Sequence, residues 1–256
     1  MAWFEHGTSR VYFEAQGDGT PVLVLPGLFT GIEEFSRLRD ALVASGYHVI
    51  AADLPGSGRS EPQPRVYTAS SYEEDAHALA ALLRHLASAP AHVVGFSDGG
   101  EVALLMAALI PDATRLVVTW GAAGVLSDPG GQVREAIANV VDHPTPPLQG
   151  WRDYLVSTYG EVNARAMTQS RTAAVSSIIE AGGELGLSKA GTIACPVLLV
   201  TCEQDIFAAL GRVFRLAARL CTAEVLVAEG VEDVVSIGCP EWLTHAILDW
   251  LGKHGG

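Results

Sequence analysis

The 256-residue chain sets 29 acidic side chains against 16 lysines and arginines, a formal charge of −13 that would repel a phosphate backbone and an anionic membrane surface alike. Hydrophobic residues make up 49% and charged residues 18%, enough apolar material for a sheet covered on both faces, and no uninterrupted run long enough for a membrane span occurs. Such acidity suits either plain solubility or a pocket for neutral or cationic small molecules, and composition does not separate the two.

Short apolar runs at 10–14, 22–25, 48–52, 92–95, 116–120, 197–201 and 224–228 read as strands. Helix-periodic stretches at 32–45, 72–87, 100–110 and 207–220 lie between them. This alternation predicts an α/β fold with a mostly parallel sheet and helices on both faces. The first strand and the turn Gln16-Gly17-Asp18-Gly19-Thr20 read as a hairpin arm. The alternation stops after Ala123 and resumes near Cys195. Residues 124–190 have helical periodicity, a break at His143-Pro144-Thr145-Pro146-Pro147 and no convincing strand, so they predict a helical cap inserted in a core of 1–123 and 191–256. The alternative is an ordinary pair of peripheral helices.

All four cysteines, Cys195, Cys202, Cys221 and Cys239, fall in the last quarter with no close Cys-x-x-Cys pair and no histidine at ligand spacing. No metal or cofactor is expected, and free thiols in a reducing cytoplasm are. Met1-Ala2-Trp3-Phe4-Glu5-His6 lacks the basic stretch and apolar run of a secretory leader. Nothing in the chain sets its oligomeric state.

The segment His92-Val93-Val94-Gly95-Phe96-Ser97-Asp98-Gly99-Gly100-Glu101 passes from a buried strand straight into a helix. Gly95, Ser97 and Gly99 there match G-x-S-x-G in its strand-to-helix context, where small flanking residues let a strained turn expose a nucleophilic serine. The amide of Asp98, at a helix N-terminus, points toward any oxyanion forming at that serine. A second amide is expected from Leu25-Pro26-Gly27-Leu28-Phe29-Thr30, from Leu28 or Phe29. The Asp98 carboxylate could pair with a substrate ammonium group, or merely favour the helix start. Phe29, Trp120 and His143 are the other candidate substrate contacts.

On these residues the chain resembles the α/β-hydrolase superfamily over nearly its whole length. Asp53-Leu54-Pro55-Gly56-Ser57-Gly58-Arg59-Ser60 is similar to the D-x-x-G-x-G-x-S turn of many members. The elbow and Val117-Val118-Thr119-Trp120-Gly121-Ala122 most resemble the valacyclovir hydrolase branch, which cleaves amino-acid esters. The resemblance implies a triad acid in Thr201-Cys202-Glu203-Gln204-Asp205, with Asp205 at the usual position and Glu203 as the alternative. It also implies a catalytic histidine seven residues before Pro240-Glu241, where this chain has Asp233. No histidine occurs between His143 and His245.

A serine hydroxyl needs a base near neutral pKa, and an aspartate at about 3.9 is much weaker than imidazole. The expected function is therefore a serine-nucleophile hydrolase of small-molecule carboxylic esters, impaired or altered at its base. Four explanations stay open: an inactivated hydrolase, recruitment of His143 from the cap, non-hydrolytic chemistry such as a cyclisation or elimination, or ligand binding alone. His245, on the terminal helix, is a poor substitute.

Overall fold

The computed structural model describes residues 2–205, 208–231 and 234–255. Its strands are β1 (Ala2–His6), β2 (Ser9–Gln16), β3 (Pro21–Leu25), β4 (His48–Ala52), β5 (Ala91–Phe96), β6 (Thr114–Trp120), β7 (Val197–Cys202) and β8 (Ala223–Ala228). They form one eight-stranded sheet in the order β1-β2-β4-β3-β5-β6-β7-β8. From β4 to β8 all pairings are parallel, while β1 and β2 are antiparallel. The central strands read as continuous Val/Leu runs because both of their faces are covered.

The helices are α1 (Ser36–Ala44), α2 (Ser71–His85), α3 (Asp98–Leu109), α4 (Gln132–Ala138), α5 (Gln149–Tyr159), α6 (Glu161–Glu180), α7 (Leu210–Ala217), α8 (Val235–Gly238) and α9 (Pro240–His254). Leu79, Leu83, Leu104, Leu105 and Leu216 of α2, α3 and α7 pack on one face of the sheet. Leu38, Leu42, Leu243 and Ile247 of α1 and α9 cover the other. The α/β-hydrolase expectation for the architecture is met.

The hairpin differs from its expectation. β2 turns through Gly7 onto β1, which the sequence reading missed, and its other edge pairs with β4, not with β3. A Cβ added at Gly17 or Gly19 would lie 2.2 Å from Tyr47 O or 1.7 Å from Gly46 O. The 16–20 turn is thus a crossover pressed against the start of β4. β1 escaped notice because it is an edge strand without a continuous buried face.

Between β6 and β7 no strand forms among the described residues. The inserted helical segment is gathered at its root: Gly124 O accepts the Leu185 and Leu187 N–H groups at 3.0 and 2.9 Å, and Leu126 N–H reaches Gly183 O at 2.8 Å. Its helices pack through Val140, Leu155, Tyr159, Ala164 and Met167 onto Phe29, in the loop after β3. A small third core thus joins the insertion to the C-terminal edge of the sheet.

Candidate active site

Ser97 joins β5 to α3 with φ 50 and ψ −118, a left-handed conformation that side-chain-bearing residues rarely adopt. The turn is possible because Gly95 and Gly99, two residues away on either side, carry no side chain. A Cβ at Gly95 would stand 2.4 Å from Gly99 O, and one at Gly99 would stand 2.4 Å from Pro26 O and 2.7 Å from Leu25 O. Ser97 N–H donates to Trp120 O at 2.9 Å, and Glu101 N–H to Ser97 O at 3.0 Å, fixing the serine at the helix start.

The loop after β3 lies against this elbow. A Cβ on Gly27 would fall 3.6 Å from Ser97 Cβ. Glu34 holds the loop by accepting from Gly27 N–H and Thr30 Oγ1, and Phe29 takes φ 58. Tyr159 of α5 donates to Phe29 O at 2.6 Å and accepts from Gly58 N–H at 2.7 Å. Among the described residues the backbone N–H groups of Leu28, Phe29 and Asp98 make no hydrogen bond. Unpaired amides beside a serine at a helix N-terminus are suited to stabilising a developing oxyanion.

Asp98 departs from the role of an open ammonium ligand. Arg171 of α6 grips it with Nη2 at 2.9 Å from Oδ1 and Nε at 3.3 Å from Oδ2, and Tyr72 of α2 donates to Oδ1 at 2.9 Å. Arg171 Nη2 also contacts Tyr72 Oη. Burial disfavours the Arg171 charge, but attraction to Asp98 and Tyr72 more than offsets it and keeps the guanidinium protonated. Burial likewise pushes the Tyr72 phenol well above its ordinary value. Arg171 lies 73 positions from Asp98, so no local pattern announced the pair.

A small cavity of about 20 Å³ adjoins this cluster, lined by Leu28, Phe29, Leu54, Tyr72, Asp98 and Arg171 among others. That is room for about one water. Trp120 is not part of it: wholly buried, it stacks on Phe96 and packs edge-on against Phe35, bracing the elbow from within the core. The expected substrate contact by Trp120 finds no support here, since its strand turns it to the face of the sheet where Phe35 and Phe96 pack, and it does not line the cavity. His143 is exposed in the insertion and does not line the cavity, and His245 is exposed on α9 with Nδ1 2.8 Å from Glu241 O.

Asp205 is 5% exposed beyond β7 and accepts Ala208 N–H at 2.7 Å, whereas Glu203 faces solvent. Asp233 lies outside the described residues. Glu101, which the sequence reading passed over, is buried one turn beyond Ser97 and accepts Ala123 and Gly124 N–H at 2.9 and 3.0 Å. Among the described residues its Oε2 has no hydrogen-bond partner, and burial pushes its carboxyl up to about 7. A lone carboxylate in the apolar run Val102-Ala103-Leu104-Leu105 was the signal that could have flagged it. Asp53 opens the glycine-rich turn after β4 and binds Ile32 and Arg59 N–H at 2.6 and 2.7 Å, so that motif shapes the loops around the site. Among the described residues no group of three or more His, Cys, Asp or Glu side chains could hold a metal ion, and no helix is long and apolar enough to cross a membrane.

The model of the alpha/beta hydrolase fold family matches residues 20–136. Human "Serine hydrolase BPHL" is 32% identical over 157 residues, 58% of this chain and 54% of that protein. The 2-hydroxy-6-oxononadienedioate/2-hydroxy-6-oxononatrienedioate hydrolase of Burkholderia vietnamiensis is 39% identical over 127 residues, 47% of this chain and 43% of that one. The chain thus matches about half the length of these curated relatives. Among solved structures, a thermophilic esterase from Thermogutta terrifontis superposes with a TM-score of 0.72 at 22% identity, covering 96% of this chain and 94% of that one. The enol-lactonase from Burkholderia xenovorans LB400 gives 0.74 at 18%, covering 98% and 100%. At such identities these two share the fold.

Proposed function

We propose, from its similarity to the alpha/beta hydrolase fold family and to serine hydrolase BPHL, that the chain is a hydrolase of small-molecule carboxylic esters, with Ser97 as the nucleophile and 124–190 as a cap over it. The observation that carries this reading is the strained Ser97 itself, at φ 50 on a strand-to-helix turn that only Gly95 and Gly99 permit. Strain of this kind costs about 1–3 kcal/mol and persists where the surroundings impose it, as at functional sites. Ser97 Oγ attacks the ester carbonyl, and the Leu28 and Asp98 amides receive the oxyanion. Collapse then expels the alcohol and leaves an acyl-serine for water to hydrolyse. Asp205 is the acid, and Asp233 occupies the chain position expected for the histidine. With a carboxylate in place of imidazole, turnover is slow, because oxyanion stabilisation and binding alone sustain about 10³–10⁴-fold acceleration over water.

The Asp98–Arg171 pair argues against a preference for amino-acid esters, since a substrate ammonium would have to displace a bidentate guanidinium. A second reading, a cyclase, lyase or ligand-binding protein on the same fold, is favoured by one observation: His143 and His245, which bracket a stretch without histidine, are both exposed. A fluorophosphonate probe separates the two. Labelling that disappears in Ser97→Ala supports the serine hydrolase, and an unlabelled, folded protein supports the rival.

A further inference from the structure

Beyond the small cavity at Asp98 lies a second, roomier one of about 180 Å³. Its apolar floor is Tyr72, Leu105, Ile178 and Leu185, and Glu73 and Lys189 at its outer rim are ion-paired at 2.9 Å. The two cavities follow the same three helices. The inner one uses Val102 of α3 and Val175 of α6, and the outer one uses Leu105 and Ile178, each three residues further along. Residues three apart on a helix are neighbours on one face, so the cavities are successive compartments of one cleft between α2, α3 and α6. Tyr72 lines both.

Tyr72 is 5% exposed and is held at its far end by Asp98 Oδ1 and Arg171. A ring fixed at its tip cannot easily swing aside, so it closes the inner compartment at about 20 Å³. The buried floor beyond it, Leu105, Ile178 and Leu185, is hydrocarbon and matched to methylene groups, while Glu73, Ser177, Glu184 and Lys189 supply the polar mouth.

We propose that Tyr72 is the specificity-determining residue that ends the acyl pocket, and that the outer cavity is the blocked continuation of that pocket, fit for a straight alkyl chain. This rests on the ester-hydrolase reading for the word acyl, but the partition itself does not. Each methylene that reaches Leu105, Ile178 and Leu185 adds about 0.8 kcal/mol of burial, or about fourfold in kcat/KM.

The test is a p-nitrophenyl ester series from acetate to decanoate on the full chain and on Tyr72→Phe, Tyr72→Leu and Tyr72→Ala. The unmodified protein and Tyr72→Phe, which keeps the ring but not the phenol, are expected to lose activity beyond acetate, whose methyl is about the size of the one water the inner compartment has room for. Tyr72→Ala and Tyr72→Leu should raise the octanoate-to-acetate ratio of kcat/KM at least about tenfold, the worth of two buried methylenes. Tyr72→Leu keeps apolar bulk and serves if Tyr72→Ala fails to fold. Thermal melts with octan-1-ol give a readout without chemistry: the alcohol should stabilise Tyr72→Ala or Tyr72→Leu and leave the unmodified protein unchanged. If no ester is turned over by any variant but that gain appears, the hydrolase reading fails and the partition stands. Folded variants with an unchanged chain-length profile and no gain from octan-1-ol overturn the proposal, as does an unmodified protein that cleaves decanoate as readily as acetate.

Discussion

Ser97 and Asp98 are adjacent in the chain but answer to different physics. The serine is fixed by backbone geometry, so Ser97→Ala should leave thermal stability within about 0.5 kcal/mol and abolish ester turnover. Turnover that persists in that variant would remove the nucleophile assignment. The aspartate is fixed by a buried counterion. Asp98→Asn leaves Arg171, 8% exposed, without its charge partner, which should destabilise the protein by about 3–5 kcal/mol. Replacing both partners in Asp98→Asn/Arg171→Met should restore most of that loss in denaturant unfolding, and a double variant as weak as the single one would show that the pair is not the cause. Asp233, seven residues before Pro240, is the position for a gain of function. Asp233→His should raise p-nitrophenyl ester hydrolysis at least roughly tenfold, since positioned base catalysis is worth about 10²–10⁴-fold. No rise in a folded variant would mean that position 233 does not serve Ser97.

Among the elements, the elbow and the loop after β3 are one unit because Gly99 brings α3 within contact of the Leu25 and Pro26 carbonyls. Gly99→Ala must push a methyl into oxygens 2.4 and 2.7 Å away, and overpacking of this kind costs about 1–3 kcal/mol. The loss should appear as a lower unfolding midpoint together with slower fluorophosphonate labelling. Tyr159 ties α5 to the same region through Phe29 O and Gly58 N–H. Tyr159→Phe leaves that buried carbonyl and amide unpaired, a cost of about 1–3 kcal/mol. Hydrogen exchange should then rise in α5 and in the 26–30 loop together, and a rise confined to one of them would show that the phenol does not couple the two.

For the whole molecule the buried acids set the dependence of stability on pH. Burial is the main cause that pushes Glu101 from 4.5 up to about 7, and Asp53 and Asp75 from 3.8 up to about 6. Each therefore holds more protons folded than unfolded between those limits, and its contribution is lost as pH rises through the window. His92 runs the other way: burial first, then Arg115, lowers it from 6.5 to about 4, so its contribution is lost as pH falls through that range. Three acids oppose one histidine below pH 6.5, and above it the histidine adds no slope. The melting temperature should consequently fall from pH 5 to pH 8, and Glu101→Gln, which keeps an acceptor for Ala123 and Gly124, should flatten the upper part of that fall. A melting temperature that climbs over the same range in the unmodified protein would contradict the assignment.

The periodic Val/Leu runs, the glycines around Ser97 and the placement of every strand from β2 to β8 were legible in the chain, because they depend on residues a few positions apart. Strand alternation and an obligatory glycine turn are local physics. The lack of any histidine between His143 and His245 was equally plain, being a fact of sequence. What the chain alone could not decide was which distant groups meet. The β2 turn became a crossover because Gly17 and Gly19 pack on Tyr47 and Gly46. Trp120 was enclosed in the core by Phe35 and Phe96 packing against its ring. Asp98 lost its openness to Arg171, and burial pushed the Glu101 carboxyl up to about 7. Each of those outcomes depends on what a second element brings within a few ångströms, and the free energy of a buried polar or charged group is set by that neighbour rather than by its own sequence context.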